Sequence, residues 1–184
     1  MEAAIWTEDP VSSILLVPGY QNSGEGHWQT LWEGSLGGAR RAEMPSWEHP
    51  VRGAWVEALD EAIADCPSPP ILVGHSLGCI AIVHWAALYE RTIQGALLAA
   101  PTDVESPDGL ELLRSFAPIP RCTLPFPAIV AASSNDPFIR LDRARTLASE
   151  WGAAFVDLGP CGHLNMASGH GPWLRGEALL SELR

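Results

Sequence analysis

The chain has 184 residues, 47% of them hydrophobic, and carries 22 acidic against 11 basic side chains, a formal net charge of −11. That is the size of one domain over residues 1–184, with enough apolar mass to bury a core without staples. Every basic residue is Arg, so Schiff-base and Ser–Lys chemistry has no lysine to use, and the acidic balance argues against nucleic acid or an anionic membrane as partner.

The first residues carry Glu2, Glu8 and Asp9 where a secretory leader would be basic. The first strong apolar run, Ile14 to Val17, is far too short for a leader core or a membrane span. The expected location is the cytoplasm. From Ser13 to Val17 the chain reads as a strand that ends at Pro18-Gly19, and a weaker strand is expected at Ala39–Met44. Between them lies a Gly-rich loop running from Pro18 to Trp28.

Val51–Cys66 reads as a helix, with Val51, Trp55, Leu59 and Ile63 on one face and Glu57, Asp60 and Glu61 on the other. Pro50 suits its first turn. Ile71–Val73 is a strand ending at Gly74, and Leu77–Tyr89 is a helix apolar nearly all round, hence buried. Strands are expected at Ala96–Ala100, Ala128–Ala132 and Ala154–Leu158. Helices are expected at Leu141–Trp151, with Gly152 just past its end, and at Trp173–Leu183. The strand runs are apolar throughout rather than alternating, as in parallel strands covered on both faces. Strands alternating with helices imply a doubly wound, mostly parallel sheet of about six strands with helices on both faces. Chemistry in such sheets collects at the carboxyl ends of the strands.

Gly74-His75-Ser76-Leu77-Gly78 fits G-x-S-x-G, and it sits between a strand and a helix. That context turns a weak pattern into a nucleophile elbow, in which a strained turn pushes the Ser76 hydroxyl outward. A side chain at either glycine would crowd the turn. In α/β-hydrolases the acid and then the histidine follow the serine. His163, after the last strand, is the candidate base, with His170 the alternative in the same region. Asp136, just after Ala128–Ala132, is the favoured acid, and Asp103, after the preceding strand, is the alternative. The backbone N–H groups of Leu77 and Tyr20 are candidates for an oxyanion hole. His75 is the variable residue of the elbow, and His84 reads as a satisfied core residue. Six scattered histidines, and Cys66, Cys79, Cys122 and Cys161 without CxxC spacing, give no expected metal site and no cofactor. The thiols are expected to be free.

Three segments carry a resemblance to a known family: Val17-Pro18-Gly19 continuing to Asn22-Ser23 and His27-Trp28; the elbow; and Gly162-His163-Leu164-Asn165 with Gly171-Pro172-Trp173. The chain resembles the compact serine hydrolases of the α/β-hydrolase type that include vertebrate retinoblastoma-binding protein 9 and small bacterial esterase-like proteins. The resemblance implies a three-layer α/β-hydrolase domain with minimal or no lid and a triad of Ser76, Asp136 and His163. It also implies that His27 and Trp28 lie near the active site. Asn165 joins them as a candidate for substrate contact, and Trp173 is a second candidate for an aromatic wall. The L-x-C-x-E sequence associated with the vertebrate protein has only Leu77-Gly78-Cys79-Ile80-Ala81 as its nearest match, without the Glu. No retinoblastoma binding is therefore carried over.

The expected activity is acyl transfer to water from a small-molecule ester, with thioesters and amides open by the same chemistry. The competing reading is a non-catalytic binding module on the same scaffold.

Overall fold

A computed structural model describes residues 13–184. The acidic N-terminal residues Glu2, Glu8 and Asp9 lie outside them. The strands are β1 (Ile14–Val17), β2 (Ala39–Arg41), β3 (Ile71–His75), β4 (Gly95–Ala99), β5 (Ala128–Ala132) and β6 (Ala154–Asp157). The helices are α1 (Trp28–Ser35), α2 (Arg52–Ala64), α3 (Leu77–Leu88), α4 (Leu141–Glu150) and α5 (Leu174–Ser181). Short 3-10 turns lie at Glu111–Phe116 and Met166–Ser168.

The strands form one open sheet in the order β2-β1-β3-β4-β5-β6, and every neighbouring pair is parallel. Successive side chains on a strand point to opposite faces, and the core divides accordingly. Leu15, Val17, Leu72, Leu98 and Val130 pack beneath α2, α3 and α4. Ile14, Leu16, Ile71, Val73, Leu97 and Ile129 pack beneath α1 and α5. The result is three layers, the α/β-hydrolase arrangement expected from the sequence. The chain runs from β1 outward to β2 and then crosses back to β3, so the winding direction reverses beside β1. A crevice opens at such a reversal, on the carboxyl side of the strands.

The central strands β1, β3, β4 and β5 are buried along their whole length. β6 is an edge strand and only partly covered, with Arg145 lying over the Phe155 ring at 4.3 Å. α3 is buried from Leu77 to Trp85, as its uniform apolar character requires. Gly152 follows α4 at φ +66°, the left-handed turn that ends a helix.

The structure departs from expectation in α2. Val51 is the N-cap and 57% exposed, so it does not belong to the apolar face, and Pro50 lies before the helix rather than in its first turn. Asp60, expected on the solvent face, is buried. It accepts from the Trp85 indole at 3.1 Å and from Arg91 at 2.7 and 2.9 Å, so α2 and α3 are pinned together by a satisfied carboxylate. α1 was not expected at all, because glycines surround it and its N-cap is an uncommon one. The His27 ring nitrogen Nδ1 accepts from the Gln29 amide at 3.2 Å.

Candidate active site

The G-x-S-x-G segment closes β3 and opens α3, with Ser76 at φ 55° and ψ −121°. That is sparsely populated backbone for a residue with a side chain, and it turns the hydroxyl outward. The glycines make the turn possible. A Cβ on Gly78 would lie 2.0 Å from the Val17 carbonyl oxygen, and one on Gly74 would lie 2.9 Å from the Cys79 nitrogen. α3 can therefore start directly against the end of β1.

Ser76 Oγ donates to His163 Nε2 at 2.8 Å. His163 Nδ1 in turn donates to Asp136, 2.9 Å from Oδ1 and 2.8 Å from Oδ2. The Asp136 side chain is fully shielded from solvent, and its Oδ1 also accepts from the Phe138 amide at 2.9 Å. The three groups come from the carboxyl ends of β3, β5 and β6. A carboxylate can only accept, so it holds the proton of the imidazole on Nδ1 and leaves Nε2 to accept from the serine. Phe138 stands edge-on to the His163 ring with centroids 4.5 Å apart.

Asp103 lies elsewhere. It forms an ion pair with Arg143 at 3.4 Å and caps its own turn by accepting from the Glu105 amide at 3.2 Å. His170, the alternative base, takes no part in the Ser76–His163–Asp136 chain. His84 is buried and donates from Nε2 to the Phe116 carbonyl at 2.7 Å, a satisfied core residue.

The loop after β1 lies against the elbow. A Cβ on Gly19 would lie 2.8 Å from the Ser76 Cβ and 3.2 Å from the Leu77 nitrogen. Leu77 begins α3, so its N–H has no partner within the helix. Among the described residues, neither it nor the Tyr20 N–H donates to a protein acceptor. Two amides thus remain free beside the serine.

A cavity of about 490 Å³ opens over Ser76, His75 and His163. The β1–α1 loop and the segment after His163 give it Tyr20, Gln21, Asn22, His27 and Asn165. The segments after β4 and β5 give it Thr102, Leu110, Leu113 and Phe138. A neighbouring hollow of about 330 Å³ shares those last four residues and extends the cavity past them. Leu110 and Phe138 are partly exposed at the mouth, and among the described residues no cap domain covers it.

Two expectations need correction. Trp28 and Trp173 do not line the cavity; both are buried, 4.8 Å apart by ring centroid, with Trp32 packed against them beneath the sheet. The Trp28 indole donates to the Leu164 carbonyl at 2.9 Å and so braces the histidine loop from behind. Asn165 does line the cavity, but its Oδ1 is engaged by Ser168, capping the following turn. The aromatic side chains in the cavity are Tyr20 and Phe138 instead, and nothing local in the sequence marked Phe138.

His75, beyond being the variable residue of the elbow, donates from Nε2 to the His163 carbonyl at 2.8 Å. Burial holds its pKa well below the ordinary value, so it stays neutral. Burial also lowers the pKa of His27, to about 4, helped by nearby Arg41. All four cysteines are free. Among the described residues, no group of three or more His, Cys, Asp or Glu side chains converges to hold a metal ion, and no helix is long and apolar enough to cross a membrane.

A family model described as serine hydrolase matches residues 14–182. Among solved structures, a protein described as a YdeN-like hydrolase from Pectobacterium atrosepticum is 32% identical, covering 93% of this chain and 89% of its own, with a TM-score of 0.84. The ydeN gene product of B. subtilis is 19% identical over 94% of this chain and 98% of its own, with a TM-score of 0.75. An esterase domain from Rhodothermus marinus is 17% identical over 92% of this chain and 85% of its own, with a TM-score of 0.69. The latter two speak to the fold alone. No curated protein matches the chain.

Proposed function

Since the chain belongs to the serine hydrolase family, whose model spans residues 14–182, we propose that it cleaves small carboxylic esters through an acyl-enzyme on Ser76. The observation that carries this reading is the unbroken hydrogen-bonded chain from Ser76 through His163 to the buried Asp136. Thioesters and amides are open to the same chemistry.

In the first step the Ser76 oxygen attacks the carbonyl carbon while His163 Nε2 takes its proton. Asp136 holds the imidazole in the required tautomer and offsets the charge it gains. The oxyanion is received by the free N–H groups of Leu77 and Tyr20. The tetrahedral adduct collapses, the bond to the alcohol breaks, and the alcohol leaves with the proton from His163. Water then attacks the acyl-enzyme, giving its proton to His163. The carboxylic acid departs as the proton returns to Ser76.

The open cavity favours small substrates, and four free thiols favour a reducing, cytoplasmic setting. The acidic surface favours small-molecule substrates over nucleic acid or an anionic membrane.

The test is labelling by a fluorophosphonate probe on wild type and Ser76→Ala, followed by peptide mapping. A label on Ser76 that the variant lacks is the expected result. Folded wild-type protein that takes no label would overturn the reading in favour of a binding module.

A further inference from the structure

The polar side of the cavity has one buried group that the acyl-transfer steps leave unused. His27 lines the cavity, is only 5% exposed, and its Nε2 finds no acceptor anywhere among the described residues. Its tautomer is fixed by the backbone. Nδ1 accepts the Gln29 N–H at 3.2 Å at the start of α1, so Nδ1 is bare and the ring proton sits on Nε2. A buried N–H without a partner costs about 1–3 kcal/mol. Such a group at a substrate cavity is explained if the substrate supplies the missing acceptor.

The neighbouring amides have the same polarity. Asn22 Oδ1 is occupied by Arg41 at 2.7 Å and by the Ser23 amide at 2.7 Å. Arg has only donors, so it fixes the amide with its oxygen inward and its NH₂ free. Asn165 Oδ1 is likewise occupied by the Ser168 amide at 3.0 Å. What His27, Asn22 and Asn165 can still offer is N–H, while the acceptors on this side, the Gln21 side-chain oxygen and the Tyr20 hydroxyl, belong to the partly exposed Tyr20–Gln21 segment. Among the described residues no Arg lines the cavity around His27; Arg41 behind it is paired with Glu33, Arg140 in the neighbouring hollow is paired with Asp142, and His27 is held neutral, so no unpaired cation faces a carboxylate or phosphate there. The opposite side, with Leu110, Leu113 and Phe138 beside the single hydroxyl of Thr102, is mostly apolar.

We infer that His27 is a specificity-determining residue whose Nε2–H binds a neutral oxygen acceptor of the substrate, such as an ether or second carbonyl oxygen, beyond the scissile ester. The substrate class is then a small two-ended ester, apolar at one end and carrying an uncharged acceptor at the other. This rests on the acyl-enzyme reading of Ser76.

The experiment compares p-nitrophenyl methoxyacetate with p-nitrophenyl butyrate, which differ by an ether oxygen in place of a CH₂. Wild type, His27→Asn and His27→Gln are measured. Asn keeps an acceptor for the Gln29 N–H but cannot reach the cavity; Gln can present an N–H where Nε2 stands. The ratio of kcat/KM for methoxyacetate over butyrate is expected to fall about tenfold in His27→Asn. In His27→Gln it should return to within about threefold of wild type. The ratio does not depend on how much of each variant is folded. An unchanged ratio in His27→Asn, whether or not His27→Gln loses it, would make His27 a helix cap alone. Imidazole ¹⁵N shifts of wild-type His27 supply a second check that needs no variant: a protonated Nδ1 with a bare Nε2 would overturn the inference. Absence of a Ser76 label would instead remove the acyl-enzyme reading, so the two failures are separable.

Discussion

The His75 ring donates from Nε2 to the carbonyl oxygen of His163 at 2.8 Å, and the two rings lie 5.0 Å apart. The residue beside the serine therefore holds the loop that carries the base. Its other face meets His27 at 4.8 Å, so three histidines form a continuous floor.

Replacing His75 by Phe keeps the volume but leaves the His163 carbonyl without its donor. The expected result is a 10- to 100-fold fall in kcat with KM within about twofold, because the loop loses register rather than the cavity losing its walls. His75→Gln, which can still donate, should recover much of the loss. Ester kinetics with p-nitrophenyl butyrate would read this directly. Equal losses in Phe and Gln variants would mean that the ring matters for packing alone.

Asp136 and Asp103 follow neighbouring strands, and only Asp136 reaches His163. Asp136→Asn is expected to lower kcat by about 10³- to 10⁴-fold, since an amide at that place favours the wrong imidazole tautomer. Asp103→Asn loses an ion pair with a partly exposed Arg143 and should cost less than about threefold. Parallel rate measurements decide it. A larger loss in the Asp103 variant would transfer the acid role.

Why the sequence exposed some of this and hid the rest follows from the range of each interaction. Ile71–Val73 and the elbow were legible because an apolar run, two glycines and a serine are all local. Asp136 and His163 were legible because topology puts strand ends side by side in a parallel sheet. Trp28 was misassigned through adjacency. His27 is the N-cap of α1, still in extended backbone, and Trp28 is its first helical residue, so His27 can face the cavity while Trp28 faces the core. Leu110, Leu113 and Phe138 reach the cavity only through the path of two loops, which no periodicity encodes. Asp60 was read as a solvent residue because its partners, Trp85 and Arg91, lie 25 and 31 residues away.

Gly78 tests whether the elbow tolerates any added atom. The Cβ of Gly78→Ala would fall 2.0 Å from the Val17 oxygen and 2.7 Å from the Pro18 oxygen, both backbone. Neither atom can swing away as a side chain would. Relief requires α3 to move off β1, so a loss at the upper end of the overpacking range, about 3 kcal/mol, is expected. Denaturant unfolding measures it. A variant of wild-type stability would mean that the helix start is looser than its geometry.

Stability should also depend on pH through the buried histidines. Burial lowers the pKa of His27 to about 4, and it lowers those of His75 and His84 as well. In the unfolded chain these rings titrate near 6.5. Between those values the unfolded state binds protons that the folded state refuses, so stability rises with pH across that window. Above about pH 7.5 both states are neutral and the dependence vanishes. At pH 5, His27 alone accounts for a loss of roughly 2 kcal/mol relative to pH 7.5. The urea midpoint is therefore expected to be clearly lower at pH 5 than at pH 7.5. His84→Gln can keep the bond to the Phe116 carbonyl without a titrating ring, and it should flatten the slope in part. A midpoint that holds constant or rises on acidification would show that these rings take up protons in the folded state.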